Sequence, residues 1–520
     1  MSDAEARRPI LDKPPLDAGL NEVTAQRERR NFVGVVAAFL VMLVLLFGLA
    51  LPPKADDFKP PPPAEGFSGD LRRRCTESFI EQPLDHFGAS KDTYRQRYFV
   101  CSEFWATRGP IFLYTGGDAD VTRFLNYTGA MWESAPAVGA LLVFAEHRFF
   151  GASAATHLKF LSSEQALADY AVLLVAVQTS VKAQDSTVVA FGAGYAGLLA
   201  TWLRLKYPHL VVGAIASSAP VLAFGPTADP EAFARTVTYD ASPVAGAHPN
   251  CIPNVRAAWA KITAAAATAT GRAMLTDAFG LCPGVITTAT DARKVMDWVH
   301  AAFDALAVGN YPYPFSYFVR GAGALPAHPV RAACAHLARD YFAESDPIAH
   351  LRAVGASVGV YYNSSGSAVC HAIGPPRDTD LWDYLWCSEL YMPRASDGTI
   401  DMFVPAPHNE TTDRRRCQQR WRVELRPMWA TTMYGGRAAL VAATNIVLTN
   451  GDLDPWAEAG LLRSVSESVV AIVIAGAAHH QDFMFSHPLD SDAVADARAQ
   501  QRDHLRRWVA AHSPDSTRAV

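Results

Sequence analysis

Residues 187–210, TVVAFGAGYAGLLATWLRLKYPHL, decide how the rest of the chain is read. Val188, Val189, Ala190 and Phe191 make an unbroken apolar run of strand length. Residues 198–207 carry an apolar stripe at helical spacing, and a glycine-rich turn joins the two. Strand, sharp turn and helix are the parts of a nucleophile elbow, whose motif G-x-S-x-G lifts a serine hydroxyl clear of a sheet. Here the turn reads Gly192-Ala193-Gly194-Tyr195-Ala196-Gly197, so glycine stands where the motif holds serine.

Two further strand ends extend the pattern. A strand-like run at 444–448 leads into Asn450-Gly451-Asp452-Leu453-Asp454-Pro455-Trp456, and another at 469–474 leads into His479-His480. Loops at the carboxyl ends of parallel strands converge on one crevice. Elbow, acid and histidine in that chain order is the order of an α/β-hydrolase triad. Asp454 also reads as a carboxylate opening a turn before proline, with Asp452 its rival, and His480 is the rival of His479.

Between Ile80 and Val221 strands alternate with helices. Residues 111–114, 141–145 and 211–216 are short apolar runs, and Ser162 with Gln165 forms a capping-box pattern for a helix through Tyr170. Such alternation predicts a parallel sheet with helices on both faces. Residues 226–424 differ: 257–273 is alanine-rich, 291–306 and 330–342 have helical spacing, and long strands are absent. This segment reads as a helical insertion covering the sheet. It separates a first part of the core, 75–225, from a second, 425–520, which closes with an amphipathic helix over 490–511.

The chain has 520 residues, 50% of them hydrophobic, with 51 acidic against 46 basic side chains. A net charge of -5 gives no electrostatic footprint for nucleic acid. Residues 32–51 carry no charge and are long enough to span a bilayer. Arg27, Arg29 and Arg30 precede them, which predicts a type II anchor with a cytosolic tail, 1–31, and everything beyond on the lumenal or extracellular side. A cleaved signal peptide is the alternative, against which stands the length of the run. A proline-rich stalk follows over 52–74. All eight cysteines lie beyond the run and none forms a C-x-x-C pair, so four disulfides are expected and neither metal nor cofactor is implied. Asn126, Asn363 and Asn409 head glycosylation sequons.

The chain also resembles the family of lysosomal Pro-X carboxypeptidase, dipeptidyl peptidase II and thymus-specific serine protease. Blocks that carry the resemblance are Asp85-His86-Phe87, Tyr114-Thr115-Gly116-Gly117, Glu146-His147-Arg148-Phe149-Phe150-Gly151, Ser163-Glu164-Gln165-Ala166-Leu167-Ala168-Asp169, Thr431-Thr432-Met433-Tyr434-Gly435-Gly436 and Leu453-Asp454-Pro455-Trp456. The resemblance implies an α/β-hydrolase parallel sheet with a large helical cap. It maps the family's serine to Gly194, its aspartate to Asp454 and its histidine to His479. It implies an oxyanion hole from the Tyr195 N–H with Gly116 or Gly117, and a proline pocket from Trp456, Met392 and Leu198. Glu146 and Arg148 read as a structural pair. Ala193 and Ala196 depart from the family's elbow, and Ala196 adds a methyl where helix and strand are expected to approach closely. Ser217 and Ser218 match a serine-containing segment that relatives do not use. Cysteine contexts imply Cys251 with Cys334, Cys282 with Cys370 and Cys387 with Cys417, which leaves Cys75 and Cys101 to each other. The expected function is a membrane-anchored ectodomain, endolysosomal or at the cell surface, that binds Pro-containing peptides without cleaving them. The alternatives are a serine-type exopeptidase using an unconventional nucleophile and a non-catalytic adhesion scaffold. A homodimer is left open.

Overall fold

The computed structural model describes residues 70–512 apart from 227, 318–322, 342–346 and 375–380. The expected tail, the anchor at 32–51 and most of the stalk lie outside the described residues. Among those described, no helix is long and apolar enough to cross a membrane.

Apolar runs without alternation belong to strands buried on both faces, and they form the centre of one sheet. Its strands are β1 (Thr76–Pro83), β2 (Thr93–Cys101), β3 (Ile111–Thr115), β4 (Leu141–Ala145), β5 (Val188–Ala193), β6 (Gly213–Ser217), β7 (Ile446–Gly451) and β8 (Val469–Ile474), in the order β1-β2-β4-β3-β5-β6-β7-β8. From β4 to β8 every pairing is parallel. β1 and β2 pair antiparallel with each other, and β2 runs antiparallel to β4. The sheet is therefore mixed rather than wholly parallel. The added edge is amphipathic, with alternating burial along β2, whereas β3 and β4 are buried throughout.

Helices α1 (Val121–Tyr127), α2 (Gly129–Val138), α3 (Ser163–Ser180) and α4 (Tyr195–Lys206) connect the first strands. Ser162 caps α3 by accepting the Gln165 N–H at 3.4 Å. The Gln165 side chain does not complete the box; it accepts from the His86 N–H and donates to Asp85. Between β6 and β7 lie α5 (Ala232–Asp240), α6 (Cys251–Ala266), α7 (Ala269–Ala278), α8 (Ala292–Val308), α9 (Pro329–Ala335), α10 (Pro347–Tyr362), α11 (Leu381–Ser388), α12 (Glu410–Trp421), α13 (Trp429–Tyr434) and α14 (Gly436–Ala442). The alanine-rich stretch lies across two helices, α6 and α7. Thr268 is extended and its hydroxyl caps α7. α9 stops at Ala335, short of the expected 342, because Asn250, at the N-cap of α6, and Asn254, on α6, capture the carbonyls of Ala338, Leu337 and Arg339.

Helices α5 to α10 have their own core, which includes Val255, Ile262, Val299, Phe303, Val330 and Val354. α11 packs instead into the sheet core through Tyr384 and Leu385, and α13 does so through Tyr434. Four disulfides tie these layers. Cys251–Cys334 joins α6 to α9, Cys387–Cys417 joins α11 to α12, Cys282–Cys370 clasps the loop after α7, and Cys75–Cys101 ties the start of β1 to the end of β2. Helix α15 (Asp492–Ala511) returns beneath the sheet. The whole is an α/β-hydrolase fold with a helical cap.

Candidate active site

β5 ends in a turn whose apex, Gly194, has φ 58 and ψ -123, a conformation that L side chains rarely adopt. Glycines flank it for steric reasons. A Cβ at Gly192 would lie 2.1 Å from the Ala196 carbonyl oxygen, and one at Gly197 would lie 2.9 Å from the Ala219 methyl. These two positions mark the close approach of helix to strand. Ala196 is not that point: its methyl faces Gly117, 3.5 Å from where a Cβ there would stand.

β7 and β8 deliver the acid and the base. Asp454 is fully buried, and its carboxylate accepts from the Trp456 N–H at 3.0 Å and lies 2.9 Å and 3.0 Å from His479 Nδ1. That contact fixes the ring so that Nε2 faces the elbow. An ideal Cβ on Gly194 would sit 3.5 Å from His479 Nε2, with no other atom closer than His479 Cε1 at 3.9 Å. The chain therefore brings together Gly194, Asp454 and His479, in the order the sequence suggested. Asp452 instead accepts the Gly476 N–H. His480 is buried in a left-handed conformation, its own N–H held by the Ser218 hydroxyl at 2.7 Å. Burial, with His479 and Arg123 beside it, pushes its pKa well below the usual histidine range.

Around the elbow, Tyr195 is the first residue of α4, where an N–H has no acceptor within the helix. Its phenol points away and donates to His147 Nε2 at 3.0 Å, while His147 Nδ1 bonds the Arg148 carbonyl. Burial lowers the His147 pKa to about 4, so the ring accepts as a neutral imidazole. Gly117 faces the start of α4, 3.5 Å from the Ala196 nitrogen when a Cβ is placed on it. Gly116 follows the end of β3, its carbonyl accepting from the Tyr170 hydroxyl of α3 at 2.8 Å. Of the expected pocket residues, Leu198 and Met392 are buried in the sheet core, whereas Trp456 is half-buried and meets Phe233 of the cap edge-on at 5.0 Å.

Neither neighbouring serine is free to replace the missing hydroxyl. Ser217 donates to Asp482 at 2.6 Å, and Ser218 is the acceptor for His480. Glu146 and Arg148 do not pair with each other. Glu146 holds Arg97 and the N–H groups of Val121, Ala152 and Ser153, while Arg148 grips Asp169 at 2.7 Å. Each is fully buried among its own partners, which keeps them apart.

Sequence reading missed the groups that hold the histidine loop. Asp482 accepts from Ser217, Thr449 and Gln501. Arg498 on α15 donates to the carbonyls of Gln481, Asp482 and Met484 and pairs with Asp490. Tyr311 donates to the His479 carbonyl at 2.6 Å. The signal available for Arg498 was one arginine on the apolar stripe of an otherwise charged helix.

Comparison with known proteins places this geometry in context. The chain matches the family described as serine carboxypeptidase S28 over residues 82–501. It is 36% identical to lysosomal Pro-X carboxypeptidase of Bos taurus over 497 residues, covering 90% of this chain and 97% of that protein. Identity to the Homo sapiens protein of the same name is also 36%, covering 83% and 88%. Thymus-specific serine protease of Mus musculus is 28% identical, covering 83% and 87%. Among solved structures, a carboxyl esterase of Tuber melanosporum aligns with a TM-score of 0.33 at 10% identity, covering 92% of this chain and 99% of that one.

Proposed function

This chain belongs to the serine carboxypeptidase S28 family, and from that premise we propose that it is a member without peptidase turnover, a receptor for Pro-containing peptides. One observation carries the reading. Gly194 offers no atom to attack a carbonyl, although a Cβ there would point at His479 Nε2 from 3.5 Å and His479 is held on Asp454 at 2.9 Å. Loss of the serine from a triad of this kind, as worked out for subtilisin, costs on the order of 10⁶ in turnover, or roughly 8 kcal/mol of barrier. The Tyr195 N–H and Gly117 remain placed to polarise a bound carbonyl, and Trp456 remains at the cap boundary to receive a proline ring. In this reading the core comprises 75–225 and 425–520, with 226–424 as the cap. The ectodomain stands on the lumenal or extracellular side behind an anchor at 32–51, and Asn126, Asn363 and Asn409 carry glycans.

The intact His479–Asp454 pair favours one second reading, in which His479 acts as general base on a water and the chain cleaves after proline without a serine. A fluorophosphonate probe and a panel of Pro-containing peptides separate the two. We expect no covalent labelling, peptide binding by calorimetry and no cleavage by mass spectrometry. Cleavage that disappears in His479→Ala establishes the second reading in place of the first. Binding of no peptide leaves the fold as a scaffold.

A further inference from the structure

Two clefts of about 520 Å³ each lie between the elbow helix α4 and the α13–α14 pair, and they share Tyr434 and Gly435. Neither is lined by Gly194, Asp454, His479 or Trp456, so both are distinct from the crevice described above. The first is walled by Trp202, Phe224, Met428 and Val441. Trp202 stacks flat on Tyr434, with ring centroids 3.8 Å apart at 5°, while Met428 and Val441 stay exposed. Large apolar side chains gathered on one concave wall mark a ligand site rather than ordinary surface.

Charge on these walls is of one sign. Among the described residues the lining holds three cations, Arg204, Lys206 and Arg437, and no carboxylate, in a chain whose net charge is -5. Two of the three are already engaged. Arg204 donates to oxygens of Thr444, Pro208 and Val211, and Lys206 lies over the Tyr434 ring at 5.7 Å. Arg437, near the start of α14 in the first cleft, is half-buried and makes neither a hydrogen bond nor an ion pair among the described residues. Deeper arginines are treated differently: Arg97 is held by Glu146, Arg148 by Asp169 and Arg498 by Asp490.

A half-buried guanidinium has lost part of its hydration without gaining an acceptor. A carboxylate entering beside it forms a charge-assisted, bidentate pair, stronger in a partly desolvated cleft than at open surface. The wall next to it calls for an apolar body on the same ligand. A cleft of this size takes a small molecule rather than a helix or strand.

We infer that this cleft binds an amphiphilic carboxylate of the fatty-acid class, with its head on Arg437 and its hydrocarbon chain along Trp202, Phe224 and Met428. The site is independent of the peptide-binding reading above.

The test titrates the full-length protein with octanoate, octan-1-ol and decanoate by calorimetry, each below its micellar concentration. A charge-assisted pair predicts that octanoate binds about 10- to 100-fold tighter than octan-1-ol. Decanoate should bind tighter again, by up to about 4-fold per added methylene. Arg437→Gln should bring octanoate down to the level of the alcohol and leave the alcohol unchanged, with Arg437→Lys recovering part of the difference. Val441→Glu sets a carboxylate four residues on from Arg437 on the same helix, where it competes for the guanidinium, and should weaken octanoate likewise. Equal affinity for acid and alcohol, no gain from octanoate to decanoate, or failure of both acids to bind overturns the proposal. An Arg437→Gln variant that weakens acid and alcohol together, as a merely structural arginine would, also overturns it. Octanoate binding that survives Arg437→Gln does so too, and its loss in His479→Ala would then place the ligand in the triad crevice.

Discussion

Gly194→Ser sets packing against backbone conformation at the elbow. The new Cβ enters space in which its nearest neighbour is His479 Nε2 at 3.5 Å, an ordinary van der Waals distance. Packing therefore does not oppose the substitution. Backbone conformation does: φ 58 and ψ -123 cost an L residue about 1–3 kcal/mol. Replacing glycine recovers about 0.4–1 kcal/mol by restricting the unfolded chain. The variant is expected to be less stable by about 1 kcal/mol, within a range of about 0–2.6 kcal/mol. The new hydroxyl would lie within hydrogen-bond reach of an imidazole already oriented by Asp454, so much of the roughly 8 kcal/mol of lost barrier reduction becomes available again. Expected together are a lower denaturant midpoint, fluorophosphonate labelling and cleavage of Pro-containing peptides, all chemistry being abolished by His479→Ala in the same background. Because the Ala196 methyl faces Gly117, Ala196→Gly is the companion change that enlarges the oxyanion side. Single and double variants that fold yet neither label nor cleave would refute the claim that the remaining site is competent.

Three further outcomes can be measured. Glu389 is buried with its carboxylate on the Ser163 N–H at 2.7 Å, and burial pushes its pKa up to about 8 from 4.5. Between those values the unfolded chain has released the proton and the folded chain has not, so stability should fall as pH rises through that window, by at most about 1.4 kcal/mol per unit. Glu389→Gln should flatten urea midpoints between pH 5 and 7.5, and an unchanged slope would count against it. Removing Cys251–Cys334, which closes a separation of 83 residues, should cost about 4–5 kcal/mol, read from denaturation of the double serine variant; a loss below about 1 kcal/mol would show that the α6–α9 contact stands without the bridge. Asp482→Ala strands Ser217, Thr449 and Gln501 together and should cost about 3–5 kcal/mol, with peptide affinity falling as the His479 loop loosens; affinity unchanged in a folded variant would separate that network from the site.

Reading the elbow, the acid loop and the histidine loop from sequence worked because each lies at the end of an apolar strand, and strand ends are local. The run at 141–145, buried throughout, and that at 469–474, partly exposed at the sheet edge, are strands over those same residues, since a short unbroken apolar run is recognised without its partner. Boundaries failed where side chains intervened. Thr268 divides the alanine-rich stretch between two helices, and Asn250 with Asn254 ended the helix expected over 330–342. The supposed pairing of Glu146 with Arg148 failed because proximity in sequence does not say which distant side chain each will meet; Arg97 and Asp169 are the partners instead.

Composition and order are legible in the chain alone: a glycine at the serine position, an acid and a histidine after it, and eight cysteines in contexts that resemble the family's. Whether those residues meet depends on chain segments far apart in sequence. His479 faces Gly194 because Asp454 grips its Nδ1. The loop that carries it is tied by Arg498, from the last helix, and by Tyr311, from the cap. Periodicity records which face of an element is apolar, but an orientation is the outcome of several weak contacts satisfied at once, and only the folded chain supplies them together.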